Sequence, residues 1–322
     1  YEVFLVEKNP YLGGRVAQLN QYFPKLCPPT CGLEINFRRI KDNPNIKVYT
    51  LAEVEKVEGT PGNYDATLTL NPRYVNENCT ACGDCEAACQ TEVSDEFNFG
   101  MNKTKGVGLP FPMAFPSRYV ISPQVKGTED EKRIAEACKY DAVDFTMEAK
   151  TVELKVGAIV WATGWEPYDA SRIDNLGFGR YPNIVTNMML ERMASHTGPT
   201  EGQILCPADG KAPESVAFVQ CAGSRDENHL PYCSYICCMA SMKQATYVRA
   251  QYPDAKIYIF YIDIRSPGRR YEQFYNMVKE DENVFFVKGK VAEVNEDPDS
   301  KAITVVAENA VTGEKVRQTV DM

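Results

Sequence analysis

Apolar and polar positions alternate over short distances along most of this chain, and the pattern predicts many short strands and few helices. Residues 1–7 (YEVFLVE) form an apolar run ending in an acid, which predicts a strand. Asn9–Arg15 (NPYLGGR) predicts a turn into a helix-like stretch. Residues 45–50 and 64–70 predict two further strands, with a charged hairpin arm between them. Residues 90–130 are rich in Pro, Gly and Phe and predict an extended, irregular loop, and residues 130–138 predict a helix. Residues 151–161 (TVELKVGAIVW) predict a hairpin arm running into a buried strand, followed by Ala162-Thr163-Gly164. The order 216–221 (strand), loop, 234–251 (helix), 256–264 (strand) is that of a βαβ unit. Residues 302–320 predict two strands around a turn at Thr312-Gly313.

The termini modify this picture. In a dinucleotide-binding fold the second strand ends in an acid that holds ribose, and a Gly-rich phosphate loop lies about 20 residues earlier. Glu7 would fill the first role, but residues 1–6 hold no such loop. The expectation is a chain cut at both ends, with an ordinary edge strand carrying a surface Glu as the alternative.

Composition narrows the functional classes. The net charge of −9 argues against nucleic acid, whose phosphates need clustered Lys and Arg. No run approaches the roughly 18–20 apolar residues of a membrane span, and no signal-peptide pattern opens the chain. Twelve cysteines are many, and eight fall in two dense groups: Cys79, Cys82, Cys85 and Cys89, and Cys221, Cys233, Cys237 and Cys238. Dense groups favour metal over disulfides, because close thiolates converge on one centre.

The first group matches the C-x2-C-x2-C-x3-C run of bacterial ferredoxins, with Gln90 in place of the usual proline. In two-cluster ferredoxins the fourth cysteine of each run serves the other cluster. No second run is present, but residues 138–144 (CKYDAVD) resemble the tail of one. The preferred ligand set for a [4Fe–4S] cluster is therefore Cys79, Cys82, Cys85 and Cys138, and Cys89 is the alternative fourth ligand. Zinc is the alternative metal.

In the second group, a helix from Ser234 would put Cys233 and Cys237 on one face, with Cys238 one step round and Cys221 arriving from the preceding strand. A bond between the adjacent Cys237 and Cys238 is geometrically disfavoured. The strand-to-helix loop here reads Cys221-Ala222-Gly223-Ser224-Arg225-Asp226 where a nicotinamide-binding domain carries G-x-G-x-x-G. That loop suits a cluster and not a hydride carrier. Buried structural thiols are the alternative.

With Gly13-Gly14-Arg15-Val16-Ala17-Gln18, the ferredoxin run at Cys79–Cys89, Gly164, residues 179–183 (GRYPN), Gln220-Cys221-x-Gly223-Ser224-Arg225-Asp226 and Tyr232-Cys233-Ser234-x-x-Cys237-Cys238-Met239, the chain resembles the A-type subunits of heterodisulfide reductase over essentially its whole length. The eroded second ferredoxin run makes it look more like the A-type component of the quinone-interacting membrane-bound oxidoreductase of sulfate reducers. The resemblance implies an α/β, thioredoxin-reductase-like flavoprotein with two Rossmann units and an inserted ferredoxin-like module. The implied parts are a partial FAD domain (1–70), the cluster module (71–150), a return to the FAD domain (151–200), a second Rossmann-like domain (201–290) and a hairpin leading back (291–322). It further implies FAD near Glu7, Gly13, Gly14, Arg15, Thr163 and Gly164, and a cluster on Cys221, Cys233, Cys237 and Cys238. Cys27 and Cys31 lie where the family often has a cysteine pair beside the flavin, and are a candidate redox pair.

The expected function is that of an electron-transfer oxidoreductase subunit, which relays electrons between partner subunits through FAD and two [4Fe–4S] clusters and links the quinone pool to sulfur metabolism. The expected place is the cytoplasm, with any membrane contact made through a partner. One alternative is the corresponding component of a soluble, electron-bifurcating heterodisulfide reductase. Another is a stand-alone NAD(P)H-dependent disulfide reductase using Cys27 and Cys31. A zinc-stabilised scaffold is the non-redox alternative. Cys206, His196, His229 and the basic stretch Arg265–Arg270 carry no assigned role.

Overall fold

The computed structural model describes residues 1–322, which divide into two compact units. The first comprises residues 1–18 and 29–165, and the second residues 19–28 and 166–322. Residues 166–200 and 291–322 therefore fold with the second unit.

The first unit opens with β1 (Val3–Glu7), α1 (Gly14–Ala17), α2 (Pro29–Asp42) and β2 (Ile46–Thr50). β1 and β2 pair in parallel, Val3 opposite Ile46 through Glu7 opposite Thr50. β3 (Ala52–Thr60) and β4 (Asn63–Leu70) follow as an antiparallel hairpin, and β9 (Lys150–Val156) adds to the free side of β4. Leu68 and Ala66 point inward while most β3 side chains face water, the alternation of a half-buried sheet.

Between β4 and β9 lies the cysteine-bearing module: α3 (Asp84–Ala88), β5 (Glu92–Ser94), β6 (Lys103–Lys105), β7 (Val107–Gly108), β8 (Val120–Ile121) and α4 (Glu129–Ala137). The expected irregular loop thus contains two small antiparallel sheets, β5–β6 and β7–β8. Strands of two or three residues are too short to show a period of two in sequence. The module core contains Val107, Ile121, Val125 and Ile134, all buried, with Cys85 and Cys89 among them. The buried guanidinium of Arg73 anchors the base of the module, donating to the carbonyls of Arg118 (3.1 Å) and Pro10 (2.5 Å) and to Thr50 Oγ1 (2.8 Å). Burial lowers its pKa to about 10.

The expected buried strand after β9 is absent. Residues 158–169 form no helix or strand, and Val160 and Trp161 are 86% and 64% exposed. An apolar run becomes a strand only with a ladder partner for its N–H and C=O groups, and the two-stranded β1–β2 sheet does not pair with this one.

The second unit contains α5 (Asn187–Ala194), β10 (Ser215–Val219), α6 (Cys237–Gln251), β11 (Lys256–Tyr261), α7 (Tyr271–Lys279) and β12 (Val284–Lys288). β10, β11 and β12 form a parallel sheet in that order, with α6 and α7 as crossovers. Ile257, Ile259 and Phe260 of β11 are essentially fully buried, as the central strand of a covered parallel sheet requires. An antiparallel meander, β13 (Val291–Glu296), β14 (Ile303–Glu308) and β15 (Lys315–Val320), closes the unit. The predicted turn holds, with Gly313 at φ 73°. The carboxylate of Asp321 accepts from the Glu214 and Ser215 N–H groups at 2.8 Å, fastening the chain end to the start of β10.

α6 is fixed by a buried polar network. Glu191 on α5 pairs with Lys243 (3.0 Å), accepts from Gln244 Nε2 (2.8 Å) and from Tyr247 (3.3 Å), and takes the Asn20 N–H (3.0 Å). Lys243 also donates to the Gln21 carbonyl at 2.5 Å. Glu191 and Lys243 are 1% and 5% exposed, so each charge depends on the other.

Candidate functional site: two groups of thiols

The first group is assembled by short-range backbone devices. Ala81 and Gly83 take positive φ (54° and 94°), wrapping the chain tightly between Cys79 and Cys85. Residues 74–76 are stitched to residues 142–144: Asn76 N–H donates to the Ala142 carbonyl (2.7 Å) and Asp144 N–H to the Tyr74 carbonyl (3.0 Å). This stitching carries Cys138, at the C-terminal end of α4, to the other three. Cys79, Cys82, Cys85 and Cys138 line a single cavity with Val75, Tyr119 and Ala142. Two backbone N–H groups already point at sulfur, Ala81 at Cys79 (3.4 Å) and Ala142 at Cys138 (3.3 Å). Burial, then the neighbouring Cys79, Cys138 and Cys82 sulfurs, push the Cys85 thiol up to about 11. Tyr119 turns its hydroxyl away to Glu86 (2.8 Å).

Cys89 is not in that cavity. It is 1% exposed in the module core, and its sulfur faces Asp130 Oδ2 (3.7 Å) and the Thr91 carbonyl (3.5 Å). The same carboxylate oxygen accepts from the N–H groups of Gln90 (2.9 Å) and Thr91 (2.5 Å) and from the Thr91 hydroxyl (2.6 Å). The Thr91 hydroxyl, followed by the backbone donors, holds the Asp130 carboxyl below the usual carboxylate range. Nothing in the sequence marks Asp130; its only signal is an acid in the first turn of α4.

The second group gathers at the junction of β10 and α6. Cys221 follows β10 with φ 57°, and burial, then Cys237, push its thiol up to about 11, opposed by Arg225. Cys238 and Cys233 also lie within its electrostatic reach. The loop between is drawn into a tongue by Arg225 N–H to the Tyr232 carbonyl, Asp226 N–H to Leu230 and Leu230 N–H to Gly223, each at 3.0 Å. Gly223 sits at φ 83° beneath the Tyr168 ring, where a Cβ would collide. Tyr168 in turn bonds His229 Nδ1 at 2.6 Å. Arg225 pairs with Asp263 (3.0 Å), and Ser234 Oγ lies 2.9 Å from Cys237 Sγ.

Two details differ from the expectation. α6 begins at Cys237, not Ser234, so Cys233 does not share a helix face with Cys237. Tyr235 takes φ 68°, which breaks the helical path between them. Cys238 is buried, bonding Gln220 Oε1 at 3.1 Å, while Cys233 and Cys237 are partly exposed. Nowhere do three His, Cys, Asp or Glu side chains close in as the ligands of one metal ion would.

The expected flavin residues are only partly organised. Glu7 ends β1, its Oε1 accepting from Asn9 N–H (2.7 Å) and Nδ2 (2.9 Å). Gly13 and Gly14 turn the chain into α1 at φ 109° and 48°, with open space above Gly14. Arg15 bonds Gln18 (3.2 Å) and lies over the Phe99 ring. Thr163 and Gly164 lie in the exposed irregular segment. Cys27 and Cys31 are free thiols, Cys27 bridged to Tyr22 through the backbone and Cys31 exposed in the first turn of α2. Cys206 is buried, and burial pushes its thiol up to about 11. No helix is long and apolar enough to cross a membrane.

No family model matches the chain. Its similarity to individual proteins is nonetheless extensive. It is 40% identical over 324 residues to the second of two A-type iron–sulfur subunits of CoB–CoM heterodisulfide reductase in Methanopyrus kandleri, covering all of this chain and 49% of that protein. It is 39% identical over 322 residues to the A-type component of the H2/formate:CoB–CoM heterodisulfide,ferredoxin reductase of Methanococcus maripaludis, covering 98% of this chain and 48% of that protein. With the A-type component of the ferredoxin/F420H2-dependent CoB–CoM heterodisulfide reductase of Methanosarcina acetivorans, identity is 38% over 306 residues, or 94% of this chain and 38% of that one. The chain thus spans about half the length of the first two relatives and less of the third.

Proposed function

The chain belongs to the family of A-type iron–sulfur subunits of heterodisulfide reductase, and from that premise we propose that it is the electron-relay portion of an oxidoreductase subunit in a multi-subunit heterodisulfide reductase-type complex. One [4Fe–4S] cluster is held by Cys79, Cys82, Cys85 and Cys138, and a second by Cys221, Cys233, Cys237 and Cys238. The observation that carries the reading is the single cavity lined by the first four thiols, with Cys89 turned away into the core. The names of the relatives favour a complex that couples heterodisulfide to ferredoxin over the quinone-linked one that the eroded second run suggests.

When bound, such clusters supply one-electron transfer, and the chain's residues set where and at what potential it occurs. Ala81 and Ala142 direct N–H groups at sulfur, which stabilises added negative charge. Val75 and Ala142 keep the cavity wall apolar and water out. Arg225 offsets the charge of thiolates at Cys221 and Cys233. Thiols held near 11 are protonated at neutral pH, so metal loading at Cys85 and Cys221 releases protons.

FAD is the proposed third cofactor. Glu7 would take ribose hydroxyls, and the Gly13-Gly14-Arg15 turn would lie against the cofactor; Thr163 and Gly164 would have to fold onto the same site. The proposed partners are the other iron–sulfur and flavin subunits of the complex, and the proposed place is the cytoplasm.

Anaerobic purification followed by iron, acid-labile sulfide and flavin analysis, with EPR of the reduced protein, tests the reading. Two spectroscopically distinct [4Fe–4S] signals are expected. Material with zinc and no sulfide would refute it.

A further inference from the structure

Gln220 is the last residue before Cys221 and is 4% exposed. Its Oε1 accepts from the Cys238 thiol at 3.1 Å, while its Nε2 is buried and has no hydrogen-bond partner. A buried amide N–H without a partner is costly and is rarely retained without a use. The geometry points to that use: we infer that Gln220 is a positioning residue for the second cluster, turning its amide over to donate Nε2–H to Cys238 when that sulfur ligates iron. The inference rests on the ligand reading given above for Cys221, Cys233, Cys237 and Cys238.

Donor and acceptor inventories set the orientation of the amide. A free thiol has a proton to give, and Oε1 at 3.1 Å is its nearer acceptor, with the Asp263 carbonyl at 3.6 Å. A ligating sulfur has none, so a carbonyl facing it meets a second electron-rich atom and the contact turns repulsive. Rotating the Gln220 amide by half a turn exchanges Oε1 for Nε2 with little change in shape. It breaks no other bond, because Nε2 has none to lose. The group then left unpaired is a carbonyl, which proteins tolerate buried better than an N–H. The backbone N–H of Arg265 also reaches Cys238, so the ligating sulfur would accept two donors. Hydrogen bonds to cluster sulfurs favour the more negative, reduced state and raise the midpoint potential.

The test is an EPR-monitored redox titration of the anaerobically purified protein, wild type against Gln220→Met and Gln220→Leu. The signal of the second cluster is identified as the one that Cys237→Ser removes. Both variants replace the amide by an apolar side chain without a donor. The expected result is full iron and sulfide with a more negative midpoint for the second cluster alone. Pulsed EPR after exchange into D2O should also lose one deuteron coupling in both variants. If Gln220→Met does not hold the cluster, Gln220→Leu decides by the same readout. An unchanged midpoint and an unchanged deuteron coupling in a fully loaded variant would overturn the role of Gln220 and leave the ligand set standing. Wild-type protein without a second cluster would instead overturn the ligand reading, and this inference with it.

Discussion

Asp130 Oδ2 lies 3.7 Å from the buried sulfur of Cys89, and it also takes the two backbone N–H groups that follow, from Gln90 and Thr91. A carboxylate at the start of α4 thus satisfies the chain where a two-cluster ferredoxin would present a ligand to its second cluster. Cys89 has become an interior thiol, and the fourth place in the cavity falls to Cys138.

Substituting the two cysteines separately should therefore give opposite results. Cys138→Ser is expected to lose the first cluster's iron and EPR signal. Cys89→Ser should retain both, at a cost of about 1 kcal/mol for a polar replacement in the core. Iron analysis decides, and equal loss in both variants would count against the assignment.

The Asp130 carboxyl should make stability fall in acid. Its folded pKa lies below the unfolded value near 4. Its contribution is complete above that unfolded value and is lost as pH falls through the folded one. In urea titrations from pH 6 to pH 2, Asp130→Asn should be less stable than wild type near neutrality and should converge on it at the acid end. Parallel curves would contradict this.

Glu191→Ala leaves the Lys243 ammonium buried without its partner. Breaking a buried pair in this way costs about 3–5 kcal/mol. The double variant Glu191→Leu/Lys243→Met should recover part of that loss, since Gln244, Tyr247 and the Asn20 N–H still lose an acceptor, and a double-mutant cycle by denaturant unfolding would measure it. A loss under about 1 kcal/mol for Glu191→Ala would mean that the ion pair does not hold α6 in place.

Gly223→Ala adds a side chain at φ 83° against the Tyr168 ring. Backbone strain alone costs about 1–2 kcal/mol, and the collision adds to it. Removing the ring in Gly223→Ala/Tyr168→Ala should return part of the loss in thermal unfolding. No recovery would show that the strain lies in the backbone alone.

Much of this architecture is legible in the residues. The spacing Cys79, Cys82, Cys85 announces a metal-binding loop, and the long apolar runs at 216–219 and 256–261 announce parallel strands. The helix expected from Ser234 starts later because the positive φ of Tyr235 delays it to Cys237. The run at 158–161 reads wrongly because apolar composition does not show whether a partner strand is available. Asp130 and the Glu191–Lys243 pair are invisible in sequence, since each acts on residues far along the chain, and the motif that contains Gln220 does not show that its amide meets Cys238. A buried acid or amide looks no different from a surface one until the fold brings its partner near.

The irregular segment after β9 carries a practical consequence. Both tryptophans of the chain, Trp161 and Trp165, lie within it, 64% and 40% exposed. Indole emission from this protein therefore comes entirely from one solvent-facing stretch. It should peak at the red wavelengths of hydrated indole, and unfolding of the parallel sheet around β11 should leave it nearly unchanged. A shift to the blue would register one event, the covering of that stretch by another piece of polypeptide or by a cofactor.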